Sequence, residues 1–311
     1  MISCINLLGG NNMNQTQDFT KGVIWKQLLF FFFPILIGSF FQQLYNTVDT
    51  IIVGRAVGTS ALAAVGSTGN LTNLIINFYV GLSTGASVVI AQYYGAQNNK
   101  KIHQAVHTSY SLAIVSGILM MLFGLFFSYQ CLDAIGTPHD ILNDATLYMQ
   151  LYFLCMIPGA IYNIGAGILR AVGDSKRPLY YLIICSIVNV VFDFIFVVIF
   201  HQGIAGAAIA TVIAQFVCAI LVTIQLMRTN EVYKLTLSKM KFHLPVLKKI
   251  IMIGAPAGIQ STMYSISNIV LQSHINAFGT QTIASWSVYV KIDALFWMMI
   301  AAIGAAITTF S

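Results

Sequence analysis

The sequence predicts an all-α polytopic membrane protein, with a six-helix N-terminal lobe and the first two helices of a second, parallel-repeat six-helix lobe. Hydrophobic residues make up 58% of the 311 residues and charged residues only 8%, far from the composition of a soluble domain. The apolar stretches run for about 20 residues or more and alternate with short polar connectors, the pattern of helices that cross a bilayer.

Apolar runs between the connectors predict eight helices. They cover residues 26–54, 61–92, 102–130, 139–168, 178–200, 204–227, 246–276 and 281–310. Thirteen of the fifteen Lys and Arg residues fall in alternate connectors, which the positive-inside rule places in the cytoplasm together with the N-terminus. We therefore expect a multi-pass protein of the cell (inner) membrane, in contact with the lipid bilayer. The net charge of +6 reflects this topology, so no nucleic-acid partner is expected.

A repeated segment supports the two lobes. The stretch "AVGTSALAA" at 56–64 returns as "AFGTQTIAS" at 277–285, a shift of 221 residues. Six helices separate the copies, and an even number preserves direction across the membrane, as in the parallel repeats of some secondary transporters. The expected domains are a polar tail at 1–20, an N-lobe at 21–228, an inter-lobe connector at 229–245 and an incomplete C-lobe at 246–311.

The same shift predicts a second lobe that reaches about residue 449. We therefore expect the 311 residues to be a C-terminally truncated form of a twelve-helix protein. The N-terminal residues lack the features of a secretory signal, and Met13 could be the true start.

Three aspartates fall within predicted helices: Asp49, Asp193 and Asp293. An ionised carboxylate in the membrane costs several kcal/mol and usually faces the bundle interior or a water-filled cavity. Counting about 1.5 Å per residue from the outer helix ends places Asp49 and Asp193 within about one turn of the same depth. Asp293 either belongs to a cavity of the second lobe or pairs with Lys291.

Three further polar side chains share the depth of Asp49 and Asp193: Tyr148, Asn189 and Thr211. Two desolvated carboxylates that repel each other favour one retained proton near neutral pH. Asn, Tyr and Thr can bond to either protonation state, so the five residues predict a proton or cation coupling site. Taken alone, Tyr148 and Thr211 are better explained as interhelical hydrogen bonds.

Other polar features indicate structure more than chemistry. The GxxxG segment "GLSTG" at 81–85 is typical of close helix packing. We interpret His103 and His107 as a wet cytoplasmic interface beside lysines, not as a metal site, and Pro34 and Pro158 as sources of helix kinks. No HExxH, GxSxG, P-loop or dinucleotide motif occurs, and the five cysteines lack metal-type spacing. An enzyme or a cofactor is therefore not expected, and energy would come from an H⁺ or Na⁺ gradient.

Four segments resemble the multidrug and toxic compound extrusion (MATE) transporters: "FFQQLYNTVDTIIVGRAVGTSALAAVG", "GILRAVGDSKRP", "NVVFDFIFV" and "GAPAGIQSTMYS". The resemblance covers the whole chain and is strongest to the proton-coupled prokaryotic (DinF-like) branch. It implies two six-helix lobes that face each other in a V. In that branch an Asp on the first helix and an Asp on the fifth form the coupling site with a nearby Asn, Tyr and Thr. The matching residues here are Asp49, Asp193, Asn189, Tyr148 and Thr211.

The leading functional hypothesis is a secondary active antiporter that exports small organic compounds, cationic or amphipathic, in exchange for inward H⁺ or Na⁺. We expect the longer protein to be a monomer and residues 1–311 alone to be inactive in transport. A lipid or lipid-linked oligosaccharide flippase would need a basic cavity, whereas nearly all cations here lie at the cytoplasmic rim. A non-transporting subunit or an intramembrane enzyme is the alternative from another class. Candidate residues for the substrate cavity are Gln42, Asn46, Gln260, Asn268 and Asp293.

Overall fold

The computed structural model describes residues 24–276 and 280–310, and its regular structure is entirely helical. The α-helices in these residues are α1 Ile24–Ala56, α2 Thr59–Gly95, α3 Asn99–Ala134, α4 His139–Phe153, α5 Met156–Ala171, α6 Lys176–Asp193, α7 Gly203–Arg228, α8 Leu244–Asn276 and α9 Thr280–Phe310. The predicted all-α class is confirmed. Four features named from the sequence lie outside what the structure describes. They are the predicted tail at 1–20, Met13, the start of the second repeat copy at 277–279 and the side chain of Lys291.

Length and composition allow five helices of the described chain to cross a membrane, and a bent pair of helices could form a sixth span. The five are α1, α2, α3, α6 with its extension to Ile199, and α7; the bent pair is α4 with α5. The seventh and eighth predicted spans are present as the helices α8 and α9. Their crossing of the bilayer, and the division into lobes at the connector, stay predictions.

The single helix predicted at 139–168 is wrong, because α4 and α5 meet at an angle of 46°. The break lies at Leu154 and Cys155. Pro158 has no N–H group, and its ring collides with the carbonyl of the residue four positions earlier in a helix, here Leu154. The chain restarts at Met156, so that Pro158 stands in the first turn of α5, where N–H groups have no partner within the helix. By contrast, α1 continues through Pro34 without a break.

The helix predicted at 178–200 changes type part-way. It is α-helical up to Asp193 and continues as a π-helix over Phe194–Ile199. The wider turn is visible where the N–H of Phe200 donates to the carbonyl of Ile195, five residues back, at 2.9 Å. Short π segments inside helices frequently lie at functional sites, and this one begins directly after an intramembrane carboxylate.

Helices α2 and α8 cross at glycines. Gly81 and Gly85 of the "GLSTG" segment lie against Gly258 and Gly254 of α8, so closely that a Cβ atom at Gly81 or Gly85 would collide with the opposite backbone. Small residues four apart on both helices permit this approach. The predicted packing role of the segment is therefore confirmed, and the crossing joins α8 to the first six spans.

The interpretation of His107 as part of a wet interface is wrong, because its side chain is fully buried. Its Nδ1 lies 2.7 Å from the carbonyl oxygen of His103, and its Nε2 lies 3.1 Å from both the carbonyl oxygen and the amide nitrogen of Thr236. When Nδ1–H donates to His103, the Nε2 atom accepts the N–H of Thr236. The neighbouring Thr108 accepts the N–H of His243 at 3.2 Å. The start of α3 thus holds the segment 229–243 in place.

Replacing His107 with leucine should loosen this segment. The change leaves the half-buried amide of Thr236 without its acceptor, at a cost of about 1–3 kcal/mol. Cleavage by trypsin at the exposed Lys239 and Lys241 should then be faster by about tenfold, since local opening precedes cleavage. The control is His103→Leu, which removes a half-buried ring but keeps the carbonyl that bonds His107. Equal cleavage rates in the two variants would contradict the anchoring role.

Candidate functional site

The five predicted coupling residues lie on four helices and form two interacting sets: the two aspartates with Tyr148, and Asn189 with Thr211. Asp49 lies on α1, Tyr148 on α4, Asn189 and Asp193 on α6, and Thr211 on α7. The two carboxylates are close enough to act on each other electrostatically, and both act on the hydroxyl of Tyr148. Asn189 lies one helical turn before Asp193, on the same face. The depth estimate made from the sequence therefore grouped residues that the structure also brings together.

Burial of the site is deepest around α6. Asp193 is 0% exposed and Asn189 is 2% exposed. Both carboxylate oxygens of Asp193, together with Asp49 Oδ1 and Asn189 Oδ1, are buried without a hydrogen-bond partner among the described residues. Buried polar atoms normally have a partner, so these oxygens are available to a water molecule, a proton or a small cation. The described residues contain no cluster of three or more His, Cys, Asp or Glu side chains that could hold a metal ion.

Thr211 positions the amide of Asn189. Its hydroxyl accepts the Nδ2–H of Asn189 at 3.4 Å and donates to the carbonyl of Ala207 at 3.1 Å. Because the amide nitrogen of Asn189 is engaged by Thr211, the Oδ1 atom is the group that remains for a ligand. The sequence alone favoured a plain interhelical bond for Thr211, and the structure shows such a bond made to a residue of the site.

A cavity of about 630 Å³ opens beside the carboxylate pair. Asp49 and Tyr148 line it, as do Gln42 and Asn46, which the sequence analysis placed in a substrate cavity. Asp193 is not one of the lining residues. Because Asp193 is also fully buried, we place it behind the cavity wall.

The other three candidate cavity residues lie on the last two helices. Gln260 and Asn268 are exposed on α8, and Asp293 is half-buried on α9. None of them lines the cavity that contains Asp49. Their role in substrate binding stays a prediction.

The sequence places Arg170 in a connector, whereas the structure includes it in a helix. Arg170 lies in the last turn of α5 and lines the same cavity as Asp49, together with Ser175 at the start of α6. The predicted helix ended at 168, which left Arg170 in a connector. An apolar segment that continues around the arginine, "GAGILRAV" at 165–172, is the signal that could have corrected the assignment.

Comparison with known proteins places the chain in a family. A family model named MatE matches residues 34–195, just over half of the chain. The chain belongs to the MatE family. This confirms the resemblance stated from the sequence and, with the apolar helices described above, a multi-pass membrane protein. The assignment to a proton-coupled branch stays a prediction.

Two bacterial relatives carry descriptions that concern drug resistance. The chain is 27% identical over 303 residues to the "Probable multidrug resistance protein YoeA" of Bacillus subtilis, covering 95% of the chain and 65% of that protein. It is 22% identical to the "Multidrug export protein MepA" of Staphylococcus saprophyticus, covering 89% of the chain and 62% of that protein. The chain thus spans slightly less than two thirds of the length of these relatives.

Solved structures of MATE proteins share the fold. One, described as MATE in the bent conformation, superposes with a TM-score of 0.85 at 27% identity, over 91% of this chain and 64% of that one. Another is described as the outward-facing conformation of a multidrug resistance MATE family transporter of the MOP superfamily. It superposes with a TM-score of 0.85 at 27% identity, over 91% of this chain and 63% of that one. The predicted fold class therefore agrees with transporter structures.

Proposed function

We propose that the protein is a secondary active efflux antiporter, which exports organic cationic or amphipathic compounds while protons enter through Asp49 and Asp193. The observation that carries the proposal is a carboxylate pair with unbonded oxygens, in which half-buried Asp49 lines a cavity and Asp193 is fully buried. Membership of the MatE family and the names of the relatives support export as the activity. The proposal places the protein in the cell (inner) membrane with its N-terminus in the cytoplasm.

The arrangement gives a direct route from protonation to conformation. A proton from the cavity reaches Asp49 first, because Asp49 lines the cavity and Asp193 lies behind it. Neutralising either carboxylate removes the repulsion between α1 and α6, and alters the hydrogen bonding open to Asn189 and Tyr148. A ligand that favours one of two conformations shifts their populations. The π-helix that follows α6 is a segment where this change can be absorbed.

An ion gradient supplies the energy in this proposal, and the site needs no cofactor and no enzymatic step. The same oxygens could hold Na⁺, since the carboxylates and Asn189 Oδ1 offer hard oxygen ligands. A proton is favoured because the pair lies in a desolvated environment, where a shared proton relieves the repulsion without further ligands.

A lipid flippase is the second candidate, and Arg170 is the observation that favours it. A cavity that carries a lipid-linked pyrophosphate needs several cations, whereas the lining residues of this cavity include one, Arg170. Asp49 and the neighbouring Asp193 would also repel such a headgroup. Export of a small organic compound therefore agrees better with the charges present.

The test is transport in lipid vesicles that contain the full-length gene product. Acid-loaded vesicles in alkaline medium should accumulate ethidium, and a protonophore should abolish the accumulation. A sodium gradient alone should drive none. Accumulation that follows only the sodium gradient would show that the assignment of the proton as the coupling ion is wrong. If the vesicles do not accumulate ethidium but translocate a fluorescent lipid, the protein is a flippase and not the proposed antiporter.

A further inference from the structure

The cavity beside Asp49 has a second end of opposite charge. On α1 its lining runs from Asp49 back to Pro34, fifteen residues and about 22 Å along the helix axis. At the Pro34 end, Gly38 lies against Leu179 and Leu182 of α6. This is the end near the first turn of α6, where Ser175 and Arg170 enter the lining. We name these two residues the basic end of the cavity.

The guanidinium group of Arg170 has no hydrogen bond or ion pair to any described side chain. The acid nearest to Arg170 in the sequence, Asp174, is already engaged: its Oδ2 lies 3.2 Å from Arg177 Nη1, and its Oδ1 accepts the N–H of Arg177 at 3.1 Å. The cations that act on Asp174 are Arg177 and Lys176, not Arg170. Tyr162, which lines the same cavity, acts on Arg170 electrostatically, and no carboxylate of the described residues does. The positive charge of Arg170 at the cavity is therefore not neutralised by a described acid.

Ser175 adds a second donor at the same end. It is 6% exposed and occupies the N-cap position of α6, yet its side chain makes no capping bond. The N–H group that an N-cap serine would engage is taken by Asp174 instead. The Ser175 hydroxyl is consequently available to a ligand beside Arg170. Carboxylates and phosphates prefer this combination of a guanidinium fork and a hydroxyl.

We propose that Arg170 and Ser175 form an anion-binding subsite, which takes the carboxylate or phosphate of a compound held in the cavity. The inference rests on the proposed function, in that the cavity receives the exported compound. It narrows the substrate class: compounds that carry an acidic group as well as a cationic or aromatic body bind better than purely cationic ones. A guanidinium group that lines a cavity without a carboxylate partner is a favourable position for an anionic group.

A matched pair of dyes tests the subsite. Rhodamine 19 carries a free carboxylate, and rhodamine 6G is its ethyl ester, so the two differ only in the acidic group. Binding of each is measured by fluorescence anisotropy to the full-length gene product in phosphatidylcholine nanodiscs. Wild type should bind rhodamine 19 more tightly than its ester. Arg170→Gln should reduce this preference about tenfold, the usual effect of losing a charge-assisted hydrogen bond.

Two further variants keep the result interpretable. Lys176→Gln removes a neighbouring exposed cation that does not line the cavity, and should leave the preference unchanged. Arg170→Lys retains the charge and should keep part of the preference, and it replaces Arg170→Gln if that variant fails to fold. An unchanged preference in Arg170→Gln, or no preference in wild type, would overturn the subsite.

A second lipid distinguishes the two possible sources of the anionic group, a lipid phosphate and a soluble carboxylate. In phosphatidylglycerol nanodiscs, a lipid phosphate that occupies the subsite should lower the affinity of rhodamine 19 in wild type and not in Arg170→Gln. That result would support the subsite with a lipid phosphate as its occupant, and equal affinities in both lipids would support it with a soluble carboxylate. The dye preference requires no ion gradient. The subsite can therefore fail while antiport stands, and a failure of antiport leaves the preference intact.

Discussion

Replacing Asp193 with asparagine should uncouple export from the proton gradient without unfolding the protein. Asparagine has nearly the same shape but no proton to gain or lose, so one member of the buried carboxylate pair stops responding to pH. Ethidium accumulation driven by a pH gradient should fall by about tenfold or more, since each 1.4 kcal/mol of lost conformational bias is a factor of about ten. The measurement is initial accumulation rate against external pH, in vesicles with the full-length gene product.

The fold should tolerate this change, which separates a coupling role from a structural one. The oxygens of Asp193 are buried without hydrogen-bond partners in the described structure, so the substitution breaks no bond to the protein. It also removes the cost of burying a charge. The thermal midpoint of Asp193→Asn in detergent should therefore equal or exceed that of wild type.

Matched substitutions define the controls. Asp49→Asn should reproduce the loss, because Asp49 is the partner on the cavity wall. Asp133→Asn makes the same chemical change at an exposed position at the end of α3, and should transport normally. If Asp193→Asn exports at the wild-type rate with the wild-type pH dependence, the assignment of the coupling site is wrong.

The positions and order of the long apolar helices were predictable because bilayer thickness imposes a length on every apolar run, although the run at 139–168 is two helices. The apolar runs do not predict where a helix bends, breaks or changes type. Proline occurs within α1, α8 and the α4–α5 pair, yet the chain breaks only before Pro158. Packing by neighbouring helices decides whether a proline is absorbed or breaks the helix. The π-helix after Asp193 has no sequence signal that the hydrophobic pattern could reveal.

The depth of the coupling residues was predictable, but the direction in which each side chain points was not. A fixed rise per residue brings Asp49 and Asp193 to one level, and the structure shows that they interact. The rotation of each helix about its axis is not given by counting. The sequence therefore could not show that Asp49 faces the cavity while Asp193 lies behind its wall, or that Arg170 turns inward.

The pattern of predicted spans also does not predict the contacts that a connector makes. His107 has lysines close by in sequence, which suggested water around it. The segment that follows α7 returns to α3 and buries the imidazole against Thr236. Such a contact depends on a non-local path of the chain, and neither helical periodicity nor hydropathy reports it.

Replacing Gly85 with leucine should prevent α8 from packing on α2 and should leave little folded protein. A Cβ atom at this position would lie 2.5 Å from the carbonyl oxygen of Ile250 and 2.6 Å from the backbone of Gly254. These are backbone atoms, which cannot move aside as a side chain can. Gly85→Ala should already cost about 1–3 kcal/mol. The measurement is the thermal midpoint in detergent, followed by size-exclusion chromatography of a fluorescent fusion.

The control lies on the same helix. Gly95, at the end of α2, has no atom within 4 Å of the position that its Cβ would occupy, so Gly95→Ala and Gly95→Leu should unfold near the wild-type temperature.

Further along the crossing, Asn77 Nδ2 donates to Ser265 Oγ at 3.1 Å, a bond that needs the two helices at their present separation. Asn77→Ala should therefore lower the midpoint in wild type but add little to the loss in Gly85→Ala. Equal midpoints for Gly85→Leu and Gly95→Leu would mean that α2 and α8 are not held at this separation in the membrane. The link between the first six spans and α8 would then be carried by other contacts.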